Sequence, residues 1–224
     1  RWLTLEEVQS ESEIEDKDAL GFHVPGMFDK VINLNNCHLQ KKPSNAIRLS
    51  IKKFADENKL TYFDIRNQEG LLRNLMVRTS STNDLMVLVQ FYENDKNNIN
   101  LLMEHIKISF PKITSLLYIV NQKANNTMYD QDIVCYNGED FIMEEMDGLH
   151  FKIGAKSFFQ TNSEQAKILY RKTKELAQIT KSDLVYDLYT GTGTIAQYVA
   201  TSAKKVVGID SVEEGIKAAY KNTE

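Results

Sequence analysis

Cysteine is scarce in this sequence: Cys37 and Cys135 are the only two among 224 residues. Two thiols are too few for a disulfide scaffold. No apolar run approaches the roughly twenty residues that a membrane span needs, and no signal peptide is visible, so the cytoplasm is the expected compartment. Positive charge is also in deficit. The formal net charge is −4, so the molecule as a whole does not attract nucleic acid, and any such binding must be local. There is no internal repeat and no low-complexity tract. What remains is an ordinary globular composition, 42% hydrophobic and 26% charged, at a length that suits one large or two modest domains.

The most informative stretch runs from Leu184 to Asp210 and reads LVYDLYTGTGTIAQYVATSAKKVVGID. Leu184 to Tyr189 is a short apolar run with one acid, the pattern of a buried parallel strand. Gly191 and Gly193 make a turn where bare backbone can approach a ligand. Ile195, Tyr198 and Val199 then recur at helical spacing, and Lys205 to Ile209 forms a second strand that ends on Asp210. This is a strand, glycine turn, helix, strand and acid, the opening of a nucleotide-binding α/β domain. The spacing leaves the nucleotide open. Gly191, Gly193 and Ala196 fit the looser dinucleotide fingerprint. Asp187 argues against a pyrophosphate, which wants positive potential at the helix N-terminus. It suits S-adenosylmethionine, which carries a sulfonium and an ammonium. Asp210 is placed to accept hydrogen bonds from ribose hydroxyls, which both cofactors possess.

Upstream, Thr4 with Glu7 three residues on reads as a capping box for a short helix. Leu20 to Val24 and Phe28 to Leu34 read as strands around the Pro25-Gly26 turn. A helix is predicted from about Ser44 to Asn58. Lys41 to Lys53 carries five basic residues and no acid, either a solvated helix face or an RNA contact. Thr61 to Arg66 alternates as a strand. Leu71 to Thr79 and Leu85 to Tyr92 form a hairpin about Ser80 to Asp84. Ile99 to Ile108 is helical and stops before Pro111. Ser115 to Val120 is another strand. Ile133 to Tyr136, Phe141 to Met146 and Leu149 to Ile153 are short strands separated by Asn137-Gly138 and Asp147-Gly148, strong hairpin dipeptides. Cys135 on this path reads as an inert buried thiol. Phe158-Phe159-Gln160-Thr161-Asn162 precedes a helix capped by Asn162 or Ser163, with Ile168, Leu169, Thr173, Leu176 and Ala177 as its inner stripe.

Four stretches together resemble the S-adenosylmethionine-dependent RNA uracil-5-methyltransferases. They are LGFHVPGMFDKVINLNNCHLQ (20–40), LLRNLMVRTS (71–80), FFQTN (158–162), and the DLYTGTG unit (187–193) with Asp210. FFQTN followed by DLYTGTG is the specific part. The resemblance is to the bacterial 23S ribosomal RNA branch, because Cys37 falls where those enzymes place a late iron–sulfur ligand. It implies a fold in two parts: a central antiparallel-sheet α+β domain that binds RNA (1–155), then the first half of a Rossmann-like class I methyltransferase domain (156–224). It implies that Gln160, Asp187, Tyr189, Gly191, Gly193, Thr194 and Asp210 hold S-adenosylmethionine. Many family members have Asn where Thr194 stands, and Glu where Asp210 stands. Arg48, Lys52, Arg73 and Arg78 are the candidate RNA contacts.

The implied reaction is methyl transfer to C5 of a uridine in 23S ribosomal RNA, with no role for DNA or a membrane. Uracil C5 is a poor nucleophile. A cysteine thiolate that adds to C6 makes an enolate, C5 takes the sulfonium methyl, a base removes the C5 proton, and the thiolate leaves. Both cysteines here precede the cofactor unit, whereas the family's nucleophile and base follow it. The catalytic residues are therefore expected outside this chain. A four-iron cluster in the ribosomal RNA branch takes three further thiolates upstream, and they are absent here. The chain begins with Arg1 and stops just after the second helix of the cofactor unit, so it reads as a piece of a longer protein. Three alternatives stay open: a transfer-RNA uracil-5-methyltransferase, a nicotinamide-dependent oxidoreductase and a non-catalytic RNA-binding module.

Overall fold

The computed structural model describes residues 18–223; the helix expected at Thr4 and Glu7 lies outside them. The chain runs β1 (Phe22–His23), β2 (Val31–Ile32), α1 (Ser44–Glu57), β3 (Leu72–Thr79), β4 (Leu85–Phe91), α2 (Lys96–Ser109), β5 (Ser115–Val120), β6 (Val134–Gly138), β7 (Phe141–Met146) and β8 (Leu149–Gly154). Then follow α3 (Ser163–Ala177), β9 (Leu184–Leu188), α4 (Thr194–Ala200), β10 (Lys205–Ile209) and α5 (Glu213–Thr223). Strands β3, β4, β5 and β6 make one sheet in that order, while β1–β2, β7–β8 and β9–β10 are separate pairs. No helix among the described residues is long and apolar enough to cross a membrane.

Two compact units can be distinguished. One comprises residues 18–76, 89–111 and 118–134; the other comprises residues 77–88, 112–117 and 135–223. In the first, α1 buries Ile47, Ile51 and Ala55, and α2 buries Ile99, Leu102, Met103 and Ile106. Spacings of three and four put each set on one helix face. Asp95 caps α2 by accepting from the Asn97 and Asn98 amides at 3.0 and 3.1 Å. In the second unit, Ile142, Glu144 and Met146 alternate inward along β7, and Phe151 and Ile153 do so along β8. Asp147 and Gly148 join these strands in a two-residue turn with φ of 50° and 82°. Two positive φ values define a type I′ turn, whose twist matches the flanking strands.

Most predicted elements are present, and five expectations need correction. Thr61 to Arg66 forms only isolated bridges, Tyr62 to Leu72 and Asp64 to Glu69. The Asp64 carboxylate instead accepts from the Arg66 and Asn67 amides at 2.7 and 3.1 Å and bends the chain into a turn, as short acids do. Asn137-Gly138 makes no hairpin. β6 joins the four-stranded sheet rather than β7, and the Glu139 amide bonds the Thr114 carbonyl at 2.9 Å. The inner face of α3 is Ala166 and Tyr170, while Ile168, Leu169 and Leu176 are 51%, 57% and 79% exposed. A helix buries the side that has a neighbour, and here the neighbour is the Tyr198 ring, 5.8 Å from that of Tyr170. Cys135 is exposed rather than buried, because β6 presents most of its residues to solvent. Fifth, β9 is not the buried strand expected: Leu184, Tyr186 and Leu188 are 51%, 58% and 62% exposed, because among the described residues β9 pairs with β10 alone.

Candidate cofactor site

β9 and β10 are parallel, with Asp187 opposite Gly208 and Leu188 opposite Ile209. The ladder continues one step into the turn, where the Thr190 amide donates to the Ile209 carbonyl at 3.0 Å. From there the backbone must reverse into α4 within a few residues. It does so through Tyr189, Gly191 and Gly193 at φ of 62°, 54° and 77°. An added Cβ at Gly191 would meet nothing within 4 Å, so the bend is open on that side, while Gly215 of α5 packs against the other side of the Gly191 backbone. At Gly193 an added Cβ would lie 3.1 Å from the Ala219 Cβ, so α5 closes that side. Thr190, Thr192 and Thr194 are buried. The Thr194 hydroxyl sits 3.5 Å from that of Tyr170 and so faces the protein interior. Tyr189, in contrast, is 88% exposed.

The two acids have different partners. Asp187 Oδ2 accepts from Thr190 Oγ1 at 2.7 Å and from the Ala196 amide at 3.0 Å. It therefore satisfies an orphan donor at the start of α4 and supplies negative charge to the positive end of that helix. A pyrophosphate would seek that same position, and it is already taken by a carboxylate. Asp210 Oδ2 accepts from the Gly191 amide at 2.7 Å and Oδ1 from the Val212 amide at 2.8 Å. These bonds, that from Val212 foremost, hold its pKa below the usual carboxylate range. Each carboxylate oxygen has two acceptor sites, so Asp210 keeps capacity for hydroxyl donors. Bare backbone at Gly191 and a half-buried carboxylate beside it leave room and acceptor capacity for a ligand that carries hydroxyl donors.

The FFQTN stretch is pinned on both sides. Arg78 Nη1 donates to the Gly154 and Ser157 carbonyls at 3.2 and 2.8 Å. The Phe159 ring lies 6.1 Å from that of Phe151, which is fully buried. Asn162 caps α3 by accepting from the Gln165 amide at 3.1 Å, and Ser163 Oγ donates to the buried Glu144 at 3.1 Å. Gln160 lies between these anchors with its side chain exposed.

All four basic residues expected to meet RNA have partners inside the protein. Arg48 is 5% exposed and bonds the Leu20 carbonyl and Asn45. Lys52 pairs with Asp56 at 2.9 Å. Arg73 donates to the Asn121, Lys123 and Asn125 carbonyls and twice to Asn126 Oδ1, and it lies over the Phe63 ring at 4.5 Å. Five bonds occupy all five donors of a guanidinium. Burial also lowers the Arg73 pKa. Arg78 holds the loop before FFQTN, as above. A run of cations in sequence says nothing about which acceptors the fold will bring to them.

Cys37 is half-buried, and its amide donates to Asn45 Oδ1 at 2.9 Å. No three His, Cys, Asp or Glu side chains gather as a metal site among the described residues. One thiolate does not fit a four-iron cluster. Sequence reasoning missed Asp147, which accepts from the Tyr198 hydroxyl, and Asn222, which donates to the Thr192 carbonyl. Asp147-Gly148 is readable as a turn, but nothing local announces its distant partners.

No family model matches the chain. It is 51% identical, over its whole length, to 49% of an uncharacterized RNA methyltransferase of Porphyromonas gingivalis. It is 48% identical, again over its whole length, to 50% of an uncharacterized RNA methyltransferase of Bacteroides thetaiotaomicron. The chain thus spans about half the length of the curated relatives it matches. Among solved structures, Pyrococcus abyssi tRNA (uracil-54, C5)-methyltransferase in complex with S-adenosyl-L-homocysteine matches 87% of this chain and 47% of its own, at 29% identity and a TM-score of 0.72. The chain has a mixed α/β fold that matches part of an S-adenosylmethionine-dependent methyltransferase structure.

Proposed function

We propose that this chain is part of an RNA methyltransferase that transfers a methyl group from S-adenosylmethionine to C5 of a uridine. The carrying observation is the open bend at Gly191, with Asp210 at its rim and Asp187 filling the start of α4. That filling disfavours a dinucleotide, whose pyrophosphate would meet the Asp187 carboxylate. It suits a cofactor without phosphate. The similarity to RNA methyltransferases and to a structure that holds S-adenosyl-L-homocysteine supports the same reading.

The cofactor supplies an electrophilic methyl on a sulfonium. The chain supplies its seat. Gly191 gives bare backbone for close approach, and Gly193 completes the left-handed turn into α4. The Asp210 carboxylate accepts from ribose hydroxyls. Asp187 adds negative potential toward the sulfonium and ammonium. Tyr189 offers an exposed ring beside the bend, and Thr194 supports the turn from its buried side. Gln160 offers an exposed amide that can donate and accept. The thiolate nucleophile and the base that removes the C5 proton are expected outside this chain. In this reading residues 1–155 serve RNA binding and residues 156–224 begin the cofactor half-domain, in the cytoplasm.

The finer assignment is to 23S ribosomal RNA. A four-iron cluster at Cys37 would need further thiolates from outside this chain. The test uses a full-length protein, labelled S-adenosylmethionine, and unmodified 23S ribosomal RNA and transfer RNA as separate substrates. Label at C5 of a uridine in the ribosomal RNA supports the assignment. Label only in transfer RNA moves it to that branch, and label in neither ends it.

A further inference from the structure

The glycine turn is held from behind by the β7–β8 hairpin at two separate points. At the first, the Lys152 amide donates to Asn222 Oδ1 at 2.7 Å, and Asn222 Nδ2 donates to the Thr192 carbonyl at 3.2 Å. At the second, the Tyr198 hydroxyl donates to Asp147 Oδ2. We propose that Asn222 and Asp147 are positioning residues, which make the hairpin a brace that sets the backbone of residues 190–194 for the adenosyl ligand. This rests on the reading of that turn as a S-adenosylmethionine site.

Thr192 lies between two glycines, and glycine populates positive and negative φ alike. Local sterics alone therefore fix the Thr192 peptide poorly, and a hydrogen bond must select its orientation. Asn222 makes that bond to the Thr192 carbonyl. Helix α4, which follows, has only 7 residues, well below the length at which a helix is stable alone. Its placement comes from tertiary contacts. Tyr198 is its buried anchor, edge-on to Tyr170, with its hydroxyl on Asp147.

Asp147 is a firm post for that hydroxyl. Arg171 reaches it through Nε at 2.8 Å and also through Nη2, and Lys167 Nζ lies 3.0 Å away. The bidentate Arg171 contact, and then the Tyr198 hydroxyl, keep this carboxylate ionised well below the usual range. Burial raises the Tyr198 pKa, so its hydroxyl remains a donor. The Asp147-Gly148 turn is itself rigid, with both residues in the left-handed region that a type I′ turn demands.

Two variants of a full-length protein separate positioning from bulk stability. Asn222→Ala removes both bonds of the first point. Asp147→Asn keeps the turn, because Asn-Gly is equally favoured there, and removes the charge. Calorimetry with S-adenosylhomocysteine should show Asn222→Ala weakening affinity about tenfold, or about 1.4 kcal/mol. The KM for S-adenosylmethionine should rise in step, with kcat at saturation little changed. Asp147→Asn should shift affinity in the same direction by a smaller factor. Hydrogen exchange at the Gly193 amide, which bonds the Thr190 carbonyl at 2.8 Å, should quicken about tenfold in Asn222→Ala without any ligand. Lowered thermal stability with unchanged affinity in both variants would overturn the proposal, as would unchanged exchange at Gly193. If the wild-type protein failed to bind the probe, the cofactor reading alone would fall, and exchange at Gly193 would still decide whether the brace exists.

Discussion

Replacing Asp210 by alanine tests the site at its most specific contact. The carboxylate accepts from the Gly191 and Val212 amides at 2.7 and 2.8 Å. It is half-buried, so water can replace part of what is lost, and each bond is then worth about 1 kcal/mol. Two such bonds put the local cost at about 2 kcal/mol, confined to the turn. A ribose hydroxyl bound to the same carboxylate would add about 1–3 kcal/mol to cofactor affinity, about 5- to 150-fold in Kd. Asp210→Asn should fall between, since one oxygen remains while an amide N–H faces one of the two backbone donors. The assay is calorimetry with S-adenosylhomocysteine on a full-length protein, with thermal unfolding alongside to show that each variant is folded. A folded Asp210→Ala protein with wild-type affinity would refute the ribose assignment and, with it, the reason for placing the adenosyl group at this rim.

Gly193→Ala should destabilise by about 1–2 kcal/mol, the cost of a left-handed residue with a Cβ. The tight 3.1 Å approach to Ala219 adds to this; denaturant midpoints at constant slope would measure it. Arg73→Lys should lower stability despite keeping the charge, because one ammonium cannot reproduce five guanidinium bonds to the 121–126 loop; limited proteolysis should cut that loop faster. The Asp147 carboxylate titrates lower folded than unfolded, chiefly through Arg171. Its contribution is therefore fully present above the unfolded value of about 3.9 and is lost as pH falls through the folded value. The thermal stability gap between wild type and Asp147→Asn should be constant near neutrality and narrow below about pH 4.

Much of the architecture is legible along the chain because its signals are local. Periodicity places α1 and α2, alternation places β7 and β8, and Asp147-Gly148 dictates the turn between them. The glycine turn between Asp187 and Asp210 is equally visible, since only a few residue types tolerate its backbone. Two further outcomes are not given by such patterns. The inner face of α3 depends on where the Tyr198 ring lies, so the apolar residues Ile168, Leu169 and Leu176 misidentify it. The fate of Thr61 to Arg66 depends on whether the Asp64 side chain competes with strand pairing, and it wins by bonding two nearby amides.

The basic residues teach the same lesson. Charge is a property of sequence, whereas the acceptors that meet it are a property of the fold. Arg48, Lys52, Arg73 and Arg78 acquire internal acceptors from segments up to 79 residues away. The amino-acid order by itself determined a strand, a left-handed glycine bend and an acid at the end of the next strand, because backbone sterics and short-range spacing suffice for each. The tertiary structure alone decided that Asp187 fills the helix start, that Asp210 takes two amides, and that Asn222 and Asp147 secure the bend. The bonds of Asp210 to Gly191, of Asn222 to Thr192 and Lys152, and of Asp147 to Tyr198 join residues 19 to 70 positions apart, and such geometry is settled only when the distant partners arrive.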